Sequence, residues 1–155
     1  MVNIKSMIFF EEGVKHDAYY DPKHLLTIGV GHLVTNNDAE RKITMKQIVF
    51  GSTISTDQII KLYEYDMATT LNGLNERIVG YPTFKPAFKS VLISMGYNMG
   101  VPRLTKFVNM LRAMRCDDDE GVIRELKDSD YYKQLPERVN RLIDVIEGRI
   151  PPEYQ

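Results

Sequence analysis

Cysteine is all but missing from this chain. Cys116 stands alone among 155 residues, so no internal disulfide can form and packing must hold the fold. Charge of either sign is missing as a surplus. Twenty Lys and Arg against 21 acids leave a formal net charge of −1, with no global field to draw in nucleic acid or a membrane surface. A polyanionic ligand would have to meet a local basic patch instead. Long apolar runs are also absent. The longest apolar-rich stretch, 25–34, is broken by Thr27, Gly29, Gly31 and His32 and is far too short to span a bilayer. The opening Met1-Val2-Asn3-Ile4-Lys5 has no charged start followed by an unbroken apolar segment, so no signal peptide is expected. No internal repeat and no low-complexity segment stands out.

What is present fits one globular domain: 43% apolar residues, 26% charged, and enough length to bury a real core. Asn3 is placed to cap a short helix with Ile4, Met7 and Ile8 on one face, and Gly13 is placed to end it. Ala18-Tyr19-Tyr20, the turn formers Asp21-Pro22-Lys23-His24 and then Leu25 to Gly31 predict a β-hairpin. Residues 36–50 read as a helix stopped by Gly51. Ser55-Thr56-Asp57-Gln58 is a capping box that opens a long helix reaching about Ile78. Its middle, 66–70, is mixed in polarity, as in helices that bridge two lobes. Beyond Tyr81-Pro82 the pattern predicts only helices, at about 84–99, 104–114, 118–127, 129–133 and 137–147. Phe88, Val91, Leu92 and Met95 fall at core spacing, as do Phe107, Met110, Leu111 and Met114. The expected class is α+β, mostly α. A small N-terminal lobe with a β-hairpin or short sheet (about 14–58) is joined by a long helix (about 56–78) to an all-helical C-terminal lobe (79–155 with 1–13). A binding cleft is expected between the lobes.

Chemistry concentrates near the N-terminus. Glu12 closes the first helix, Asp21 sits at the hairpin turn, Thr27 lies on the next strand and His32 follows Gly29-Val30-Gly31. Cleaving a glycosidic bond takes a protonated acid for the leaving oxygen and a second carboxylate on the other side of the sugar. Two acids at this spacing are common by chance, and alone they read as surface residues flanking a turn. Context changes that reading. Phe10-Glu11-Glu12-Gly13, Tyr20-Asp21 and Leu26-Thr27-Ile28-Gly29-Val30-Gly31-His32-Leu33 resemble the phage lysozyme family of glycoside hydrolases. The family pattern places eight residues between Glu and Asp and five between Asp and Thr, as here. Looser matches follow in order at 93–100 and 129–138.

The resemblance implies a peptidoglycan muramidase of the endolysin kind. It would cut between N-acetylmuramic acid and N-acetylglucosamine with inversion, and so lyse the bacterial host. Glu12 would be the general acid, Asp21 would stay ionised to orient water or stabilise the oxocarbenium-like transition state, and Thr27 would hold the water. Inversion calls for carboxyls roughly 6.5–9.5 Å apart. Glu11 lacks the spacing and is assigned to the surface. Arg138 falls where the family pairs an arginine with the catalytic Glu, although a cation there favours the ionised acid. His32 and Asp66 match a structural ion pair. Leu33, Tyr97, Asn98, Met110 and Glu125 align with saccharide-lining positions; Asn98 stands for Gln, Met110 for Ser and Glu125 for Asn. Arg103, Lys106, Arg112 and Arg115 form a basic stretch that faces either the wall or solvent.

No cofactor is expected. A metal site at His16, His24 and His32 is disfavoured because their spacing fits no ligand motif. The partners implied are peptidoglycan glycan strands and a holin that opens the membrane, with no nucleic acid and no stable membrane association. The protein would be a monomer, made in the host cytoplasm and acting at the cell wall or periplasm. Two rivals remain: a lytic transglycosylase, which needs one acid and forms an anhydro sugar, and a non-catalytic wall-binding protein, in which the Glu–Asp–Thr set would have drifted.

Overall fold

A computed structural model describes residues 1–155. The class is the expected one, a small antiparallel sheet near the N-terminus followed by helices. The chain divides into two compact units, residues 12–69 and residues 1–11 with 70–155.

In the unit of residues 12–69, β1 (Lys15–Tyr20), β2 (Leu26–Gly29) and β3 (His32–Leu33) form an antiparallel sheet in that order. Tyr19 pairs with Thr27 and Tyr20 with Leu26, after an irregularity between Lys15 and Tyr19. Thr27 in turn pairs with Leu33, and Ile28 with His32. The predicted hairpin therefore carries a short third strand.

The helix expected over 36–50 is shorter. Helix α2 (Asp38–Thr44) is capped by Asn37 Oδ1, which accepts from Glu40 N at 2.8 Å, and it ends at Met45, whose φ is +60°. The following residues serve the sheet. Ala18 N donates to Ser52 O at 2.8 Å, Gly51 N to Ala18 O at 3.0 Å and Ile54 N to His16 O at 3.0 Å. Strand β1 would otherwise leave these groups unpaired, and that demand outweighs helix continuation. Asn36 fastens the segment by exchanging two hydrogen bonds with Ile48, from Ile48 N to Oδ1 at 2.8 Å and from Nδ2 to Ile48 O at 2.9 Å. Helix α3 (Thr56–Arg77) opens on the predicted capping box. Ser55 N donates to Gln58 Oε1 at 2.9 Å, and Gln58 N donates to Ser55 Oγ at 3.2 Å.

The other unit holds all but the last residue of α1 (Ile4–Glu12), the end of α3, and α4 (Pro86–Met99), α5 (Val101–Leu104), α6 (Val108–Arg115), α7 (Asp119–Lys127), α8 (Asp130–Gln134) and α9 (Pro136–Ile146). Short 3₁₀ turns lie at Tyr81–Thr83 and Pro152–Tyr154. The helix expected over 104–114 is interrupted at 105–107, where Phe107 leaves helical geometry with ψ of 58°. Phe88, Val91, Leu92, Met95, Met110, Leu111 and Met114 are buried as their spacing predicts, whereas Phe107 is only half-buried.

One acid departs from expectation. The Glu11 side chain is 4% exposed instead of lying on the surface. Arg141 on α9 donates Nε to its Oε1 at 2.7 Å and Nη2 to its Oε2 at 3.0 Å. The hydroxyl of buried Tyr154 donates to the same Oε1, and Arg138 Nε lies 4.0 Å from Oε2. Burial pushes the Glu11 carboxyl up. The hydrogen bonds from Arg141 and Tyr154 and the charges of Arg138 and Arg141 outweigh it and hold the carboxyl below its ordinary 4.5. The stability this contributes is therefore full above about pH 4.5 and lost as acid protonates the folded group. Glu11→Gln is expected to cost roughly 3–5 kcal/mol, as does stranding buried charge. Melting curves across pH should show a lower but flatter acid limb for the variant.

Candidate active site

The N-terminal carboxylates are placed by helix-end and turn chemistry. Glu12 is the last residue of α1, which Asn3 caps through Oδ1 (from Ser6 N, 3.0 Å) and which stops at Gly13, with φ of +71°. From there the half-buried Glu12 side chain lies over Gly31, in the turn between β2 and β3. A Cβ built on Gly31 would come within 2.7 Å of Glu12 Oε2 and 3.0 Å of its Cβ. Gly31 also has φ of +61°, a left-handed conformation that L side chains resist. Glycine is required there twice over, for backbone shape and for clearance beside the carboxyl.

Asp21 is fixed by the hairpin turn. Its Oδ1 accepts from Lys23 N and Leu25 N, both at 2.8 Å, while its backbone N donates to Leu25 O at 3.0 Å. One carboxylate oxygen is thus bound into the turn, and Oδ2 takes no part in it. Thr27 is 5% exposed, and its hydroxyl donates to Leu25 O at 2.9 Å. With its proton committed, Oγ1 is left as an acceptor. Leu33, paired with Thr27 from β3, is 49% exposed. Tyr19, paired with Thr27 from β1, is half-buried. Burial, then the charges of Glu12 and of Asp21, push its phenol up, so both carboxylates bear on one hydroxyl.

His32 and Asp66 do meet, at 2.7 Å between Nδ1 and Oδ2. Sequence reasoning missed the third member. Buried Glu40, on α2, places Oε1 2.7 Å from His32 Nε2 and accepts from Thr35 N at 2.9 Å and Asn36 N at 2.7 Å. The available signal was an acid following the Asn37 cap in the first turn of α2. Both ring nitrogens face carboxylates, which leaves neither for a metal. Burial pushes the imidazole down, but the hydrogen bonds and charges of Asp66 and Glu40 outweigh it and hold it above its usual 6.5.

The remaining predicted residues lie in the other unit. Arg138 is buried, donating Nη2 to Ser94 O and Oγ at 3.1 Å and Nε to Oγ at 3.3 Å. Tyr97 is half-buried and Asn98 exposed at the end of α4, and Glu125 is half-buried on α7. Met110 is 1% exposed. Its thioether packs in the core, as the apolar spacing indicated, and presents no surface to a sugar. Arg103, Lys106, Arg112 and Arg115 are all exposed.

Glu12 at a helix end, Asp21 in a tight turn and the buried Thr27 hydroxyl on the strand that follows are compatible with a lysozyme-type glycoside hydrolase. Residues 10–143 match the Phage lysozyme family, and the chain belongs to that family. It is a lysozyme, a glycosidase that hydrolyses peptidoglycan. The chain is similar to two Dictyostelium discoideum proteins. It is 29% identical to "Probable T4-type lysozyme 2", across 99% of this chain and 98% of that protein. It is also 29% identical to "Probable T4-type lysozyme 1", across 94% of each. It is 27% identical to "Pre-baseplate central spike protein Gp5" of Enterobacteria phage T4, across 94% of this chain but 28% of that longer protein.

Two outcomes follow from this geometry. Gly31→Ala is expected to add about 1–2 kcal/mol of backbone strain and to displace Glu12; with Glu12 in the role that the resemblance implies, activity is expected to fall roughly 10²-fold. Turbidity assays paired with thermal melts check both parts. A raised His32 pKa contributes stability that is full below pH 6.5 and lost as pH rises through the folded value. Glu40→Gln is expected to lower the imidazole pKa, seen by NMR titration, and to move the alkaline loss of stability to lower pH.

Proposed function

We propose that this lysozyme is an endolysin-type N-acetylmuramidase, cleaving the β-1,4 bond between N-acetylmuramic acid and N-acetylglucosamine with inversion. The observation that carries the reading is Asp21. Backbone amides hold one of its oxygens and leave the other to take a proton from water. Glu12 gives its proton to the leaving glycosidic oxygen. Asp21 Oδ2 and Thr27 Oγ1 accept from the attacking water and aim it at the anomeric carbon from the opposite side. Water adds, the glycosidic bond breaks, and Glu12 is left ionised until it regains a proton from solvent.

A lytic transglycosylase has no use for a water-holding pair, which favours hydrolysis. Leu33, Tyr97, Asn98 and Glu125 are the candidates for saccharide contacts, and Arg138 for support of the acid. The role would be lysis of the bacterial host by a monomer with no cofactor. No helix is long and apolar enough to cross a membrane, and a holin-like partner would give access to the wall.

Glu12→Gln removes only the transferable proton and is expected to cut turnover roughly 10²–10⁴-fold without loss of fold. Clearing of outer-membrane-permeabilised Gram-negative cells reads the rate. Mass spectrometry of the wild-type products separates reducing muropeptides, expected here, from anhydro sugars, which would point to the transglycosylase.

A further inference from the structure

Strand pairing places one more polar side chain beside Thr27. Tyr19, Thr27 and Leu33 are directly paired across β1, β2 and β3, and directly paired residues share a face of a sheet. Neighbours along a strand face opposite ways, and Tyr20 accordingly turns to the other side, where its ring stacks on Phe50 with centroids 5.3 Å apart. Tyr19 therefore belongs to the row that holds Thr27. It is half-buried, so its ring is braced while part of it stays accessible, and it lies within the electrostatic reach of both Glu12 and Asp21. A phenol in that field stays protonated and keeps a donor. Acceptor-rich sugar hydroxyls and ring substituents are what such a donor would meet between two acids.

We propose that Tyr19 is a substrate-contacting residue, its phenol donating a hydrogen bond to the sugar unit held between Glu12 and Asp21. The inference rests on the muramidase reading above. Leu33 would supply the apolar contact at one end of the row, Tyr19 the polar contact at the other, and Thr27 the water site in the middle.

The test uses binding, so that it does not depend on turnover. In a Glu12→Gln background, titration calorimetry with a muropeptide tetrasaccharide should show measurable affinity. Adding Tyr19→Phe, which keeps the ring and removes only the hydroxyl, should weaken that affinity roughly two- to tenfold, the range for one hydrogen bond. The melting temperature should barely change. In the active chain the same single substitution should lower kcat/KM by a similar factor, and Tyr19→Leu by more. Equal affinity with and without the hydroxyl would overturn the assignment of Tyr19 alone. No binding by the Glu12→Gln protein would overturn it together with the muramidase reading.

Discussion

A buried carboxylate, Glu11, is the constraint on which the packing of α1 depends. Taking an ionised group out of water is costly unless its lone pairs are filled, and Arg141 and Tyr154 fill them while Arg138 adds charge. The cluster ties the last turn of α1 to α9 and to the final 3₁₀ turn. Asn3 N donating to Tyr154 O at 2.8 Å ties the first turn of α1 to the same place. Helix α1 is thus held at both ends.

Four acids near one another in sequence end in four different states because their neighbours differ. Glu11 is clamped by guanidinium groups, Glu12 rests over a glycine, Asp21 is half-consumed by turn amides, and Glu40 binds an imidazole. Residue type alone separates none of these roles. Position relative to donors does.

This explains what could be read from the sequence. Elements with local causes were legible: the α1 cap at Asn3, the hairpin turn at Asp21, the capping box at Ser55 and Gln58, and the apolar spacing of α4. The Glu12, Asp21, Thr27 and His32 pattern stood out through its match to a family. Features with distant causes were hidden. Helix α2 ends early because β1, more than twenty residues before, needs backbone partners from 51–54. Glu11 is buried because of residues at 138, 141 and 154. Glu40 joins His32 only after the chain folds back from α2, and the pairing of Tyr19 with Thr27 is a strand register that sequence spacing does not reveal. Met110 carried two conflicting readings, core by periodicity and sugar contact by resemblance, and its burial favours the first.

The segment that closes over β1 has a consequence for the protein outside its catalytic role. A three-stranded sheet has two open borders, and unpaired strand borders recruit other chains into aggregates. One border is occupied by the bonds from 51, 52 and 54, and the other belongs to β3, which is only two residues long and offers little to copy. A sheet guarded in this way offers a second chain almost no free strand to extend.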